Sequence, residues 1–85
     1  MITYLFYTKG SQSESQMQTL AEDLIKRQVD IELIEADSPK GIDLSKNYDV
    51  LARPAIVVAA SDGTQLTQWQ DVMPSGSDIS YWAHN

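Results

Sequence analysis

The sequence predicts an α/β domain with one mixed four-stranded sheet and helices on both faces. Three observations predict it. An apolar, β-branched opening run is followed by an amphipathic stretch at helical spacing and then a second apolar run, the pattern of a strand–helix–strand unit. A later apolar run, residues 55–60, passes straight into Asp62-Gly63 and a further strand, which reads as a hairpin. The chain has 85 residues and 42% hydrophobic content, enough for one domain with a small packed core.

Residues 2–8, Ile-Thr-Tyr-Leu-Phe-Tyr-Thr, are rich in β-branched and aromatic side chains. They predict a central strand covered on both faces. The polar stretch that follows holds two overlapping capping-box spacings, Ser11 with Glu14 and Ser13 with Gln16, so a helix starts at residues 11–13. Met17, Leu20, Ala21, Leu24 and Ile25 form its apolar stripe, with Glu22, Asp23, Lys26 and Arg27 on the other face. Residues 28–30 form the exit. Residues 31–35 predict a second strand at an edge. Ser38-Pro39-Lys40-Gly41 reads as a loop before a short helix, residues 42–48, with Leu44 and Tyr48 spaced i, i+4.

Residues 55–60 make the third strand, and residues 64–69 return antiparallel to it. Gln65, Gln68 and Gln70 make one face of the return polar, as expected of an exposed edge. A loop over 71–76 leads to a last helix, residues 78–83, opened by Ser77-Asp78 and buried through Ile79 with Trp82 or Ala83. Trp69, Tyr81 and Trp82 are expected as partly buried core. The opening strand–helix–strand unit implies a right-handed parallel crossover.

Net charge is −6, from 12 acids and 6 bases, and the last 32 residues contain no lysine or arginine. This balance disfavours nucleic acid and anionic membrane, which are bound through cationic fields; a basic protein partner would suit it. With no cysteine, disulfides, thiolate catalysis and sulfur-ligated metals are excluded. The first residues lack the basic region and cleavage site of a signal peptide. No apolar run approaches the roughly 20 residues of a membrane span. A soluble, cytoplasmic monomer with no metal is the expectation, with His84 in a frayed terminus.

The element order and three stretches resemble the thioredoxin-like fold, and glutaredoxin-like proteins within it. Phe6-Tyr7-Thr8-Lys9 is similar to the end of the first strand, after which the family places its Cys-x-x-Cys motif. Residues 44–50 followed by Arg53-Pro54-Ala55-Ile56-Val57-Val58 are similar to the helix, loop and cis-proline strand. Asp62-Gly63 falls at the family's hairpin turn. More weakly, Gly76-Ser77-Asp78 is similar to the segment that holds the γ-glutamyl end of glutathione. A helix N-terminus with Ser and Asp as capping residues accounts for the same three residues.

The departure is at the cysteines. A gapless match from Tyr7 puts Gln12 and Ser15 at the two cysteine positions, and a shift by one puts Ser11 and Glu14 there. Neither pair supports thiol–disulfide exchange. What the resemblance still implies is a binding surface formed by Lys9, Ser11, Gln12, Ser13, Glu14 and Ser15 with Arg53 and Pro54, and with Ser77 and Asp78 if glutathione is held. Arg53 is expected beside Lys9, either open to an anion or paired with Glu14. The function expected is protein or peptide binding by a redox-inactive domain, with no catalytic residue. Two alternatives stand beside it: a thiol–disulfide oxidoreductase whose cysteines are replaced by serines, and a module that binds glutathione without catalysis.

Overall fold

The computed structural model describes residues 1–84, in the order β1 (Ile2–Tyr7), α1 (Gln12–Lys26), β2 (Ile31–Glu35), α2 (Pro39–Tyr48), β3 (Ala55–Ala59), β4 (Gln65–Gln70) and α3 (Gly76–Ala83). The sheet runs β2-β1-β3-β4. β1 pairs parallel with β2 and antiparallel with β3, and β3 pairs antiparallel with β4. The expected fold class, central first strand and two edge strands are all present. β4 begins one residue later than expected, with a register irregularity opposite it at Val58/Ala59.

Strand alternation divides the core in two. Leu5, Ile56 and Val58 face α1 and α3, where they pack with Met17, Ala21, Leu24, Val29 and Ile79. Phe6, Ala55 and Val57 face the other way, with Ile34 and Val50 and the partly buried Tyr4, Leu44 and Tyr48. β3 is buried along its whole length. Among the described residues, no helix is long and apolar enough to cross a membrane.

Four expectations are corrected. Ile25 is 61% exposed and does not belong to the buried stripe. At 100° per residue it lies roughly 70° around the helix from the line of Met17, Ala21 and Leu24, beyond what this narrow sheet covers. α2 starts at Pro39, three residues earlier than expected. Ser38 is its N-cap: its Oγ accepts from the Gly41 amide (3.0 Å) and donates to the Glu35 carbonyl (2.7 Å). Pro39 occupies the first helical turn, where its missing N–H costs nothing. The Pro and Gly taken for loop punctuation are thus a helix start and a contact residue.

Tyr81 and Trp82 are exposed rather than core, while Trp69 packs on the α1/α3 cluster. α3 is short, and only Ile79 and Gly76 on it are buried. Finally, His84 is not frayed. Its Nε2 lies 3.0 Å from the Arg27 carbonyl, tying the end of α3 to the end of α1.

Two glycines set interhelix and helix–sheet distances. A Cβ at Gly76 would collide with the Asp23 carboxylate on α1, and one at Gly41 would overlap the carbonyls of Glu35 and Ala36. The second obstacle is backbone and cannot rotate away. Gly41→Ala should therefore destabilise the domain by about 2–3 kcal/mol, as overpacking does, measured by urea unfolding.

Tyr48 straps α2 to the hairpin through its hydroxyl, which donates to the Gly63 carbonyl (2.7 Å). Partial burial, with smaller contributions from Tyr4 and Asp62, raises its pKa above the usual tyrosine value. A folded-state pKa above the unfolded one stabilises the fold below the unfolded value, and that contribution is lost as pH rises through the folded value. Stability should fall above about pH 10, and Tyr48→Phe should flatten this alkaline decline in pH-dependent urea unfolding.

Candidate functional site

Two segments from distant parts of the sequence meet at the C-terminal end of β1. One is the Thr8-to-Glu14 turn that opens α1. The other is the loop from Val50 into β3. Together Thr8, Ser11, Gln12, Ser13, Gln16, Arg53 and Pro54 line a concavity of about 370 Å³. Gln12 and Gln16 also line a second one, of about 630 Å³, with Ser15, Thr19, Leu20, Asp23 and Met73. The two adjoin across the first turns of α1.

The α1 turn is locked by its own side chains. Ser11 Oγ donates to the Thr8 carbonyl (2.6 Å) and lies 2.7 Å from Ser13 Oγ. Ser13 Oγ accepts from the Thr8 amide (3.3 Å), and Glu14 Oε1 accepts from the Gly10 amide (3.1 Å). The expected capping box is displaced by one residue, because Glu14 reaches Gly10 instead of Ser11. Ser11 is the N-cap, but its side chain makes no cap bond to the helix. The two serines are thus turned inward to the loop, and the exposed polar surface comes from Gln12, Ser15 and Gln16.

The other wall is held by β4. Gln70 Oε1 accepts from the amides of both Leu51 (2.9 Å) and Ala52 (3.0 Å). Its Nε2 donates to the Asp49 carbonyl (3.0 Å) and to Gln68, whose own Nε2 donates to the Tyr48 carbonyl (2.7 Å). Two of the three glutamines expected on the exposed edge, Gln68 and Gln70, also clamp the end of α2 and the loop that follows, while Gln65 is exposed and meets Gln68. Asp71 adds a further tie, its amide donating to the Pro54 carbonyl (2.8 Å). The Arg53–Pro54 peptide bond is cis.

Arg53 is neither a free cation nor paired with Glu14. Its Nη1 donates to Asp37 Oδ1 at 2.8 Å, across to the turn after β2. Ser11, Gln12, Ser13, Arg53 and Pro54 line one concavity. Lys9 is exposed on the turn and does not line the concavity. Glu14 faces the turn, Ser15 lies on the adjoining concavity, and Ser77 and Asp78 lie outside both, exposed in the first turn of α3.

Three participants were missed. Gln16 sits one helical turn after Gln12, so spacing could have found it; Thr8 precedes the helix and follows directly on β1. Asp37 offers no sequence signal. Among the described residues, no group of three or more His, Cys, Asp or Glu is placed to hold a metal ion.

The Gln70 clamp is open to test. Gln70→Leu removes the acceptor of two solvent-accessible loop amides, which should cost about 0.5–1.5 kcal/mol. Hydrogen exchange at Leu51 and Ala52 should accelerate before global unfolding does.

No protein-family model matches the chain, and no curated protein is a significant match. Six solved chains match it in structure. It is similar to thioredoxin 1 from the thermophilic eubacterium Thermosipho africanus TCF52B, with TM-score 0.73 and 12% identity over 99% of this chain and 91% of that one. It is also similar to a malarial protein, with TM-score 0.69 and 21% identity over 95% of this chain and 90% of that one. The fold is therefore thioredoxin-like, and the likeness extends to the fold alone.

Proposed function

We propose that this chain is a redox-inactive thioredoxin-like domain that binds a protein or peptide at the surface formed by residues 11–16 and Arg53-Pro54. The observation that carries this reading is the concavity of Thr8, Ser11, Gln12, Ser13, Gln16, Arg53 and Pro54, built from both halves of the chain. Its walls are held by side-chain bonds to backbone, so little ordering entropy is lost when a partner docks. Among the described residues, the Arg53 amide and carbonyl take no part in backbone hydrogen bonding. They remain able to pair with an extended segment.

Thiol chemistry has no agent here, since the chain contains no cysteine. Serine catalysis would need an adjacent base. The one histidine, His84, lies beside Thr3 at the opposite end of β1. Ser11 and Ser13 are engaged with each other and with the Thr8 backbone. Binding is the activity left to this surface.

Affinity capture from extracts of the source cell tests the reading. Gln12→Glu and Arg53→Glu should lose the partner that the parent chain retains, and Lys26→Glu at the far end of α1 should keep it. The same capture by all four proteins would remove this surface from consideration. Glutathione is tested separately by NMR titration. Shifts at the Arg53 and Asp78 amides at millimolar ligand would indicate a tripeptide site instead.

A further inference from the structure

A third concavity, of about 460 Å³, lies on the α2 side of the same loop, lined by Ala36, Ile42, Ser45, Lys46, Asp49, Val50, Leu51 and Arg53. Leu51 is 91% exposed and Ile42 is 44% exposed. Leu51 is held out by a clamped backbone, because its amide is one of the two bound by Gln70. A leucine whose backbone is already held, beside a hollow lined in part by Ala36, Ile42 and Val50, meets part of the ordering cost of a contact in advance.

The charge around it differs from the rest of the molecule. Of the residues that line it, Lys46 and Arg53 are cations and Asp49 is a carboxylate, whereas the rest of the chain carries four cations and eleven carboxylates. Lys46 has no ion-pair partner among the described residues. Arg53 borders both this concavity and the one beside α1. Its link to Asp37 is between side chains 40% and 65% exposed. Such a pair contributes at most about 1 kcal/mol, so another carboxylate can displace it.

Resting on the reading of the Arg53–Pro54 loop as a binding face, we infer that the partner contributes an acidic segment with an apolar anchor. One of its carboxylates takes the place of Asp37 on Arg53. The neighbouring apolar side chain packs against Leu51 and Ile42, and a second acid faces Lys46. An acidic segment is repelled by most of this surface and meets its complement here. Asp37 then acts as an internal competitor for the ligand's carboxylate.

The probe is a terminally blocked Glu-Leu-Asp-Phe peptide, titrated against the labelled chain by two-dimensional NMR, with a peptide bearing Lys at both acidic positions as the contrast. Ile42, Lys46, Leu51 and Arg53 amides should shift with the acidic peptide only. Asp37→Asn should tighten binding up to about fivefold. Asp30→Asn makes the same charge change at the other end of the sheet and should leave binding unchanged. Arg53→Gln should weaken it by about fivefold and Leu51→Ser by up to about tenfold. Leu51 is too exposed for that substitution to unfold the domain.

Equal effects from Asp37→Asn and Asp30→Asn would reduce the attraction to net charge and overturn the proposal. So would equal binding of the lysine peptide, or no shift at millimolar peptide. Shifts confined to residues 11–16 would overturn this docking mode while leaving the binding role of the α1 surface standing. Loss of that wider role is read from the capture experiment.

Discussion

The constraint on which the molecule depends is the closure of β3 on every side. Its five residues are buried, with β1 and β4 as neighbours and an apolar cluster on each face. A strand so enclosed cannot shift register without moving apolar side chains into the wrong cluster. The loop entering it is thereby fixed at one end. Gln70, on the strand next to it, fixes the other end through the amides of Leu51 and Ala52. The position of Arg53 and Pro54 is therefore a consequence of core packing, one residue pair removed.

The same dependence shows what could be read from the sequence. The mixed four-stranded sheet, the central β1 and the two edge strands follow from hydrophobic periodicity and element order, while the meeting of the α1 turn with the Arg53–Pro54 loop is what the resemblance to the thioredoxin-like fold implies. These signals are spread over many residues, and no single misreading changes them. The missed features depend on one or two atoms. Pro39 and Gly41 carry the composition of a loop and the geometry of a helix start, and only the Ser38 hydroxyl distinguishes the two. Gln68 and Gln70 have the composition of a wet edge. Their role becomes visible only when the end of α2 is placed against them.

Arg53 is the sharpest case. Glu14 was the carboxylate expected to pair with it, and nothing in the sequence marks Asp37 as a competitor. The structure ranks them by prior commitment. Glu14 is used by the Gly10 amide, which closes the turn before α1, while Asp37 sits on an exposed turn beside the loop. The first turn of α1 thus satisfies itself and leaves Arg53 to look across the sheet end to β2.

That arrangement bears on how such a surface could work without a thiol. In the α1 turn, the serines and Glu14 are bound to their own loop, so what this side offers is shape, with Gln12 and Gln16 as adaptable donors and acceptors. The exchangeable interactions lie on the other side, around an arginine whose present partner is itself solvent-exposed. A rigid wall facing a weakly held ion pair separates two tasks. In the proposed binding role, the wall would exclude poorly fitting segments at little entropic cost, and the ion pair would discriminate by charge, because only an incoming carboxylate restores what displacing Asp37 removes.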